Sequence, residues 1–147
     1  MKRYSRYLCL ALALVLTFAV SVNAESNFTE ITPYSSSFFR SYGSYLSRSA
    51  GTLFYVCFEV SAKAYMAELG VSAVEVQRSS DGNSWTTVKT FLPENYPSMI
   101  ADNTFAHAGS LLYAGSTGYY YRAHITFYAK NSSGSGKLYM YTETLRI

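Results

Sequence analysis

The sequence predicts an all-β fold, a single sandwich of about seven antiparallel strands standing behind a signal peptide. Three observations lead there. Apolar and polar residues alternate with a period of two in "LFYVCFEV" and again, over a longer run, in "YYYRAHITFYAK". Clusters of turn residues such as "SSDGN" and "NSSGSG" separate such runs at intervals typical of a sandwich. A short apolar run behind a basic start opens the chain.

That opening carries Met1, Lys2, Arg3 and Arg6, followed by an apolar stretch from Leu8 to Val20. A run of about 13 residues matches the core of a signal peptide and falls short of the roughly 20 needed to span a bilayer. Val22 and Ala24 in "SVNAES" are the small residues a signal peptidase reads, which places cleavage between Ala24 and Glu25. Cys9 precedes the apolar run, unlike a lipoprotein cysteine. The expected organisation is a signal peptide over 1–24, an N-terminal lead-in over 25–36 and a β domain over 37–147. Three of the twelve Lys and Arg leave with the leader, so the remaining nine balance the nine Asp and Glu. A neutral mature chain gives no electrostatic argument for nucleic acid or an anionic membrane. Cys57 is then the sole cysteine. No internal disulfide can form, and stability must come from packing, for which a domain of about 120 residues suffices.

In chain order, "FFRSYGSYLS" (38–47) reads as an edge strand with a bend at Gly43. "LFYVCFEV" sets Phe54, Val56, Phe58 and Val60 on one face and Tyr55, Cys57 and Glu59 on the other, a half-buried strand. "AYMAELG" reads as one helical turn, ended by Gly70 in the left-handed conformation. "VSAVEVQR" and "SWTTVKTF" form a hairpin around Asp81 and Gly82. "LPENYPSMIADN" carries Pro93 and Pro97 and leaves room for a short helical turn near 98–101. "FAHAGSLLY" resumes the strands, "STGYYYRAHITFYAK" is expected to be the longest of them, and "KLYMYTETLRI" the last. The core expected from these faces comprises Phe54, Val56, Phe58, Val60, Val74, Val76, Trp85, Val88, Leu111, Tyr113, Tyr121, Ile125 and Phe127. At about 1.5–3 kcal/mol for each fully buried large side chain, that is some tens of kcal/mol before chain entropy is subtracted.

Two resemblances follow from these residues. "AKNSSG", with Ala129, Asn131 and Gly134, resembles the AxNxxG close of the penultimate strand of fibronectin type III modules, and "DGNSWTTV" is similar to their third hairpin. Tyr121, with Gly118 just before it, matches the tyrosine that in those modules bonds back across the strand corner, although it lies two residues further from AxNxxG. From Thr52 to Thr142, residues including Met66, Leu69, Gly70, Trp85, Phe91, Met99, Tyr113, Gly118, Phe127 and Asn131 resemble an uncharacterised family of small secreted bacterial proteins, a domain of unknown function built from one β-sandwich behind a signal peptide. The resemblance implies an immunoglobulin/fibronectin type III-like sandwich and a secreted bacterial protein, and implies no chemistry.

The residues themselves point away from catalysis. Hydrolysis calls for paired carboxylates, or for a nucleophile with a base and an orienting acid; His107 and His124 are far apart on ordinary strands. No CxxC, HExxH or Asp-rich calcium loop is present, and no metal or cofactor is expected. "NFT" at Asn27 and "NSS" at Asn131 match the glycosylation sequon, but Asn131 also suits the turn it begins. The compositional anomaly is aromatic: of 15 Tyr, 9 Phe and 1 Trp, only Tyr4, Tyr7 and Phe18 leave with the leader. Cross-strand pairing accounts for many of them. On 119–130, however, the outward row interleaves Tyr120 and Tyr128 with Arg122, His124 and Lys130. Such a row could stack on a sugar or hold an acidic peptide, or its cations could simply pair with Glu75 and Gln77 on a neighbouring strand. The expected function is therefore secreted, extracellular, non-enzymatic binding of a polysaccharide or protein, with Tyr120, Arg122, His124 and Tyr128 as the candidate site. The alternative is a structural or self-associating surface protein whose copies join through the final strand or Cys57.

Overall fold

The computed structural model describes residues 37–147. The expected leader and lead-in, with Cys9 and Asn27, lie outside the described residues. Those described form one curled antiparallel sheet of seven strands: β1 (Phe39–Arg48), β2 (Leu53–Ser79), β3 (Thr86–Phe91), β4 (Ile100–Ala114), β5 (Tyr120–Asn131), β6 (Gly134–Tyr141) and β7 (Leu145–Arg146), with a 3-10 turn at Pro97–Met99.

β2 organises the sheet. Along one edge its first half pairs with β1, Phe54 opposite Arg48 through Ala62 opposite Phe39, and its second half pairs with β5, Glu68 opposite Lys130 through Ser79 opposite Tyr120. Along the other edge it carries β4 and then β3. β5 is flanked by β2 and β6. A straight strand would hold Phe54 roughly 80 Å from Arg78, the β2 partner of Tyr121, at about 3.3 Å per residue. Yet the Phe54 and Tyr121 rings lie 5.2 Å apart, so β2 curls until its two halves face one another. Irregularities in pairing mark the curl, one between Ser61 and Met66 and another between Val71 and Ala73, where Ser72 is the extra residue.

The apolar face of each half turns into the space thus enclosed. Phe54, Val56, Phe58 and Val60 meet Val74, Val76, Tyr121, Ile125 and Phe127 in a single buried cluster, which Phe39, Met66, Leu69, Val71, Phe91, Met99 and Leu138 complete. Tyr42 of β1 reaches the Phe127 ring at 5.3 Å.

Several expectations are corrected, among them that β5 is the longest strand, since it has 12 residues to the 27 of β2. "AYMAELG" is not a helical turn but part of β2, the longest strand at 27 residues; β4 and β5 occupy both of its edges there, and the backbone bonds they offer outweigh local helix preference. Gly70 is accordingly extended rather than left-handed, and its missing side chain admits the carbonyl of Met99, 2.1 Å from where a Cβ would stand. The bend in β1 lies between Phe39 and Ser41, whereas Gly43 pairs in register with Glu59. Trp85 is half-buried and leaves the core for the opposite face of the sheet, beneath Arg122.

The turns follow their expected chemistry. Asp81 Oδ1 accepts hydrogen bonds from the backbone N–H of Asn83 and Ser84, at 2.9 and 2.8 Å, and from the Ser79 hydroxyl at 2.8 Å. Those bonds, the one from Ser84 foremost, hold the Asp81 carboxyl well below the usual carboxylate range. Asn131 Oδ1 accepts from the Ser133 N–H at 2.8 Å, closing β5 onto β6. The Tyr121 hydroxyl accepts from the Ser116 N–H at 2.8 Å, tying the start of β5 to the loop before it.

Candidate functional site

Because β5 is paired on both edges, its outward side chains rise from the middle of a sheet and are bracketed by neighbours on β2 and β6. Glu75, His124 and Tyr141 occupy one cross-strand row, and Gln77 lies directly opposite Arg122. Cross-strand neighbours stand about 4.5–5.5 Å apart at Cβ, close enough to determine one another's rotamers.

The result is a stack. The Arg122 guanidinium lies 4.3 Å from the centre of the Trp85 ring and 4.4 Å from that of Tyr141. His124 stacks on Tyr141 at 4.5 Å and 25°, and on Tyr139 at 5.9 Å and 15°. Trp85, Arg122, Tyr141, His124 and Tyr139 thus follow one another in a single stack, with the Arg122 guanidinium set between two rings. Each cation–ring contact contributes about 0.5–1 kcal/mol where exposed and more where water is excluded. Tyr139 and Tyr141 remain 62% and 51% exposed. Tyr141 meets both Arg122 and His124, whereas Tyr139, at the end of the stack, meets His124.

Charge is distributed unevenly along it. His124 Nδ1 donates to Glu75 Oε2 at 3.2 Å. Arg122 Nε donates to Gln77 Oε1 at 2.8 Å, a neutral partner, and among the described residues no carboxylate lies within ion-pair distance of Arg122. Its terminal nitrogens make no hydrogen bond within the described residues. The fork is therefore held by Trp85, Tyr141 and Gln77 with both terminal nitrogens unspent.

Of the four residues expected at the site, the structure brings Arg122 and His124 together. Tyr120 stands one outward step from Arg122, its ring covered by the Arg146 guanidinium at 5.2 Å. Tyr128 is six residues from Arg122 along the strand, roughly 20 Å away, opposite Gly70 and Lys137. Beside it, Lys130 donates to Glu68 at 2.7 Å, a bond that raises the lysine's pKa. The pairing of Glu75 with His124 and of Gln77 with Arg122 is as the neighbouring-strand reading expects. Sequence reasoning missed Trp85, Tyr139 and Tyr141. The period-two signal was present in "KLYMY", where Tyr139 and Tyr141 share a face, but only the β5–β6 register sets that face beside His124.

Elsewhere, His107 Nε2 donates to the Ser98 carbonyl at 2.8 Å and packs on Phe58. Cys57 is a free, half-exposed thiol whose hydrogen bond to Tyr45 raises the phenol's pKa. Among the described residues no three His, Cys, Asp or Glu side chains are grouped to hold a metal ion, and no helix is long and apolar enough to cross a membrane. Comparison with protein-family models, with curated proteins and with solved structures finds no match.

Proposed function

We propose that this is a secreted, non-enzymatic protein that binds an acidic polysaccharide on the outer face of β5 and β6. The observation that carries the reading is Arg122. Its guanidinium is fixed between two rings, bonded through Nε to neutral Gln77, and has no carboxylate partner among the described residues. A planar fork presenting two N–H donors matches a carboxylate. Because the side chain is already immobilised, binding costs little further rotamer entropy. The hydroxyls of Tyr139 and Tyr141, two residues apart on β6, supply hydrogen bonds to sugar hydroxyls along the same face. The proposal includes a fibronectin type III-like sandwich of the small secreted bacterial kind. The bond from Ser116 to the Tyr121 hydroxyl and the Asn131 turn support that kinship, since a corner tyrosine and an AxNxxG close are what it requires.

The test is equilibrium binding to polygalacturonate, a uronic-acid polymer, with neutral dextran as control. Binding to the acidic polymer, weakened by salt and reduced about ten- to a hundredfold in Arg122→Gln, is expected from the loss of one charge-assisted pair of about 1.5–3 kcal/mol. Equal binding by Arg122→Gln, or equal retention on dextran, overturns the assignment.

A further inference from the structure

The edges of the sheet are not equally guarded. β1 carries Arg40 and Arg48, β3 carries Lys89, and β6 carries Lys137. Charged side chains on edge strands are a common means of preventing a second sheet from adding on. β4 pairs with β2 along one side and, among the described residues, with no strand along the other. From Thr104 to Ala114 it contains no Lys, Arg, Asp, Glu or Pro. Its nine residues Ala106–Ala114 run in unbroken register with β2, so the free edge there has no bulge and presents a regular row of backbone donors and acceptors.

We infer that two copies of this chain associate through this edge, β4 against β4, antiparallel about a two-fold axis at Ser110, to form one sheet continuous across the pair. The sequence of the strand is self-complementary in that register. Ser110 meets itself at the axis. Leu112, 48% exposed, falls opposite Ala108 on the outer face, and Leu111 falls opposite Gly109 on the inner face, so each leucine meets a small residue. No like charges are opposed. A second observation fits the same register. The outer face holds a shallow, open depression of about 370 Å³ lined in part by Glu59, Ser61, Ala106 and Ala108. A partner's Leu112, arriving opposite Ala108, stands at the rim of that depression, and the symmetry repeats the contact on the other copy. The arrangement differs from joining through the final strand or through Cys57, and it does not depend on what the β5–β6 face binds.

The experiment is sedimentation velocity over a dilution series, on protein recovered after expression of the full chain, carrying Cys57→Ser so that no disulfide can substitute. It is combined with hydrogen exchange of residues 106–114. The expected result is a particle of twice the chain mass that dissociates on dilution, with alternate β4 amides protected only in the dimer. Ser110→Lys sets two ammonium groups face to face at the axis and should halve the particle mass. Because Ser110 is exposed on the outer face, the monomer should stay folded, with an unchanged circular dichroism spectrum. Ser110→Thr should keep the dimer. Leu112→Ala, which empties the seat at Ala108, should shift dissociation to higher concentration. A monomer at every concentration overturns the inference. So does a dimer indifferent to Ser110→Lys, or protection of 106–114 that is independent of concentration, which would mean that another part of the same chain covers the edge.

Discussion

Replacing Gly70 with alanine tests the close approach of β2 to the backbone of Met99 and Ile100. Gly70 lies between Ile100 of β4 and Tyr128 of β5, at the place where the 3-10 turn hands over to β4. A Cβ there would stand 2.1 Å from the Met99 carbonyl oxygen, 2.8 Å from the Ile100 Cα and 3.0 Å from the Met99 carbonyl carbon. All three obstacles are backbone, so no side-chain rotation relieves the clash. The turn must shift, and with it Met99, which is fully buried in the core. Overpacking costs about 1–3 kcal/mol and occasionally more, and a backbone obstacle puts this change at about 3 kcal/mol or above. At roughly 4 °C per kcal/mol for a domain of this size, the melting temperature should fall by about 12 °C. Urea denaturation followed by Trp85 fluorescence measures the free energy directly. Gly118→Ala is the contrast. At φ +88 with nothing within 4 Å of the added carbon, it should cost only the left-handed penalty of about 1–2 kcal/mol. A Gly70→Ala variant within about 0.5 kcal/mol of wild type would refute the close crossing of β2 over Met99.

Phe127→Asp should yield no cooperatively melting protein, because Phe127 is fully buried and an unpaired carboxylate in that core has neither water nor a partner; a sharp thermal transition in the variant contradicts the assigned face. Asp81 has a folded pKa below its unfolded one, so its stabilising bonds are fully present above the ordinary value of about 3.9 and are lost as pH falls from there towards the depressed folded value. Asp81→Ala should therefore flatten the acid limb of stability against pH, and an unchanged limb removes the turn from the account. Mass spectrometry of exported protein should place Glu25 at the N-terminus, and recovery of Met1 in a membrane fraction contradicts the expected cleavage.

Strand faces were legible wherever two neighbours repeat the same period. Phe54 to Val60 and Tyr121 to Phe127 alternate plainly in sequence and are buried as that alternation requires. The helical turn at "AYMAELG" failed because its residues carry helix preference, while the fact that decides their state, a strand on each edge, is non-local. Gly70 gave a true signal with two physical meanings, positive φ or close approach, and local sequence does not choose between them. Trp85 stands among the residues expected in the core. Its outward position depends on Arg122 reaching across from β5, a contact between residues distant in sequence. The candidate site was legible to the same extent: Arg122 and His124 share a face by parity, whereas Tyr139 and Tyr141 join them only through the pairing of β5 with β6.

Trp85 is the chain's one tryptophan, and it lies against Arg122 at the end of the stack. Its emission therefore reports on the proposed site without any label. Titrating the protein with polygalacturonate should shift or quench that emission saturably, with the same midpoint as direct binding, and Tyr139→Ala combined with Tyr141→Ala should weaken both together. Binding that leaves Trp85 emission unchanged would place the glycan elsewhere on the molecule, and no binding at any attainable concentration would contradict the proposed function itself.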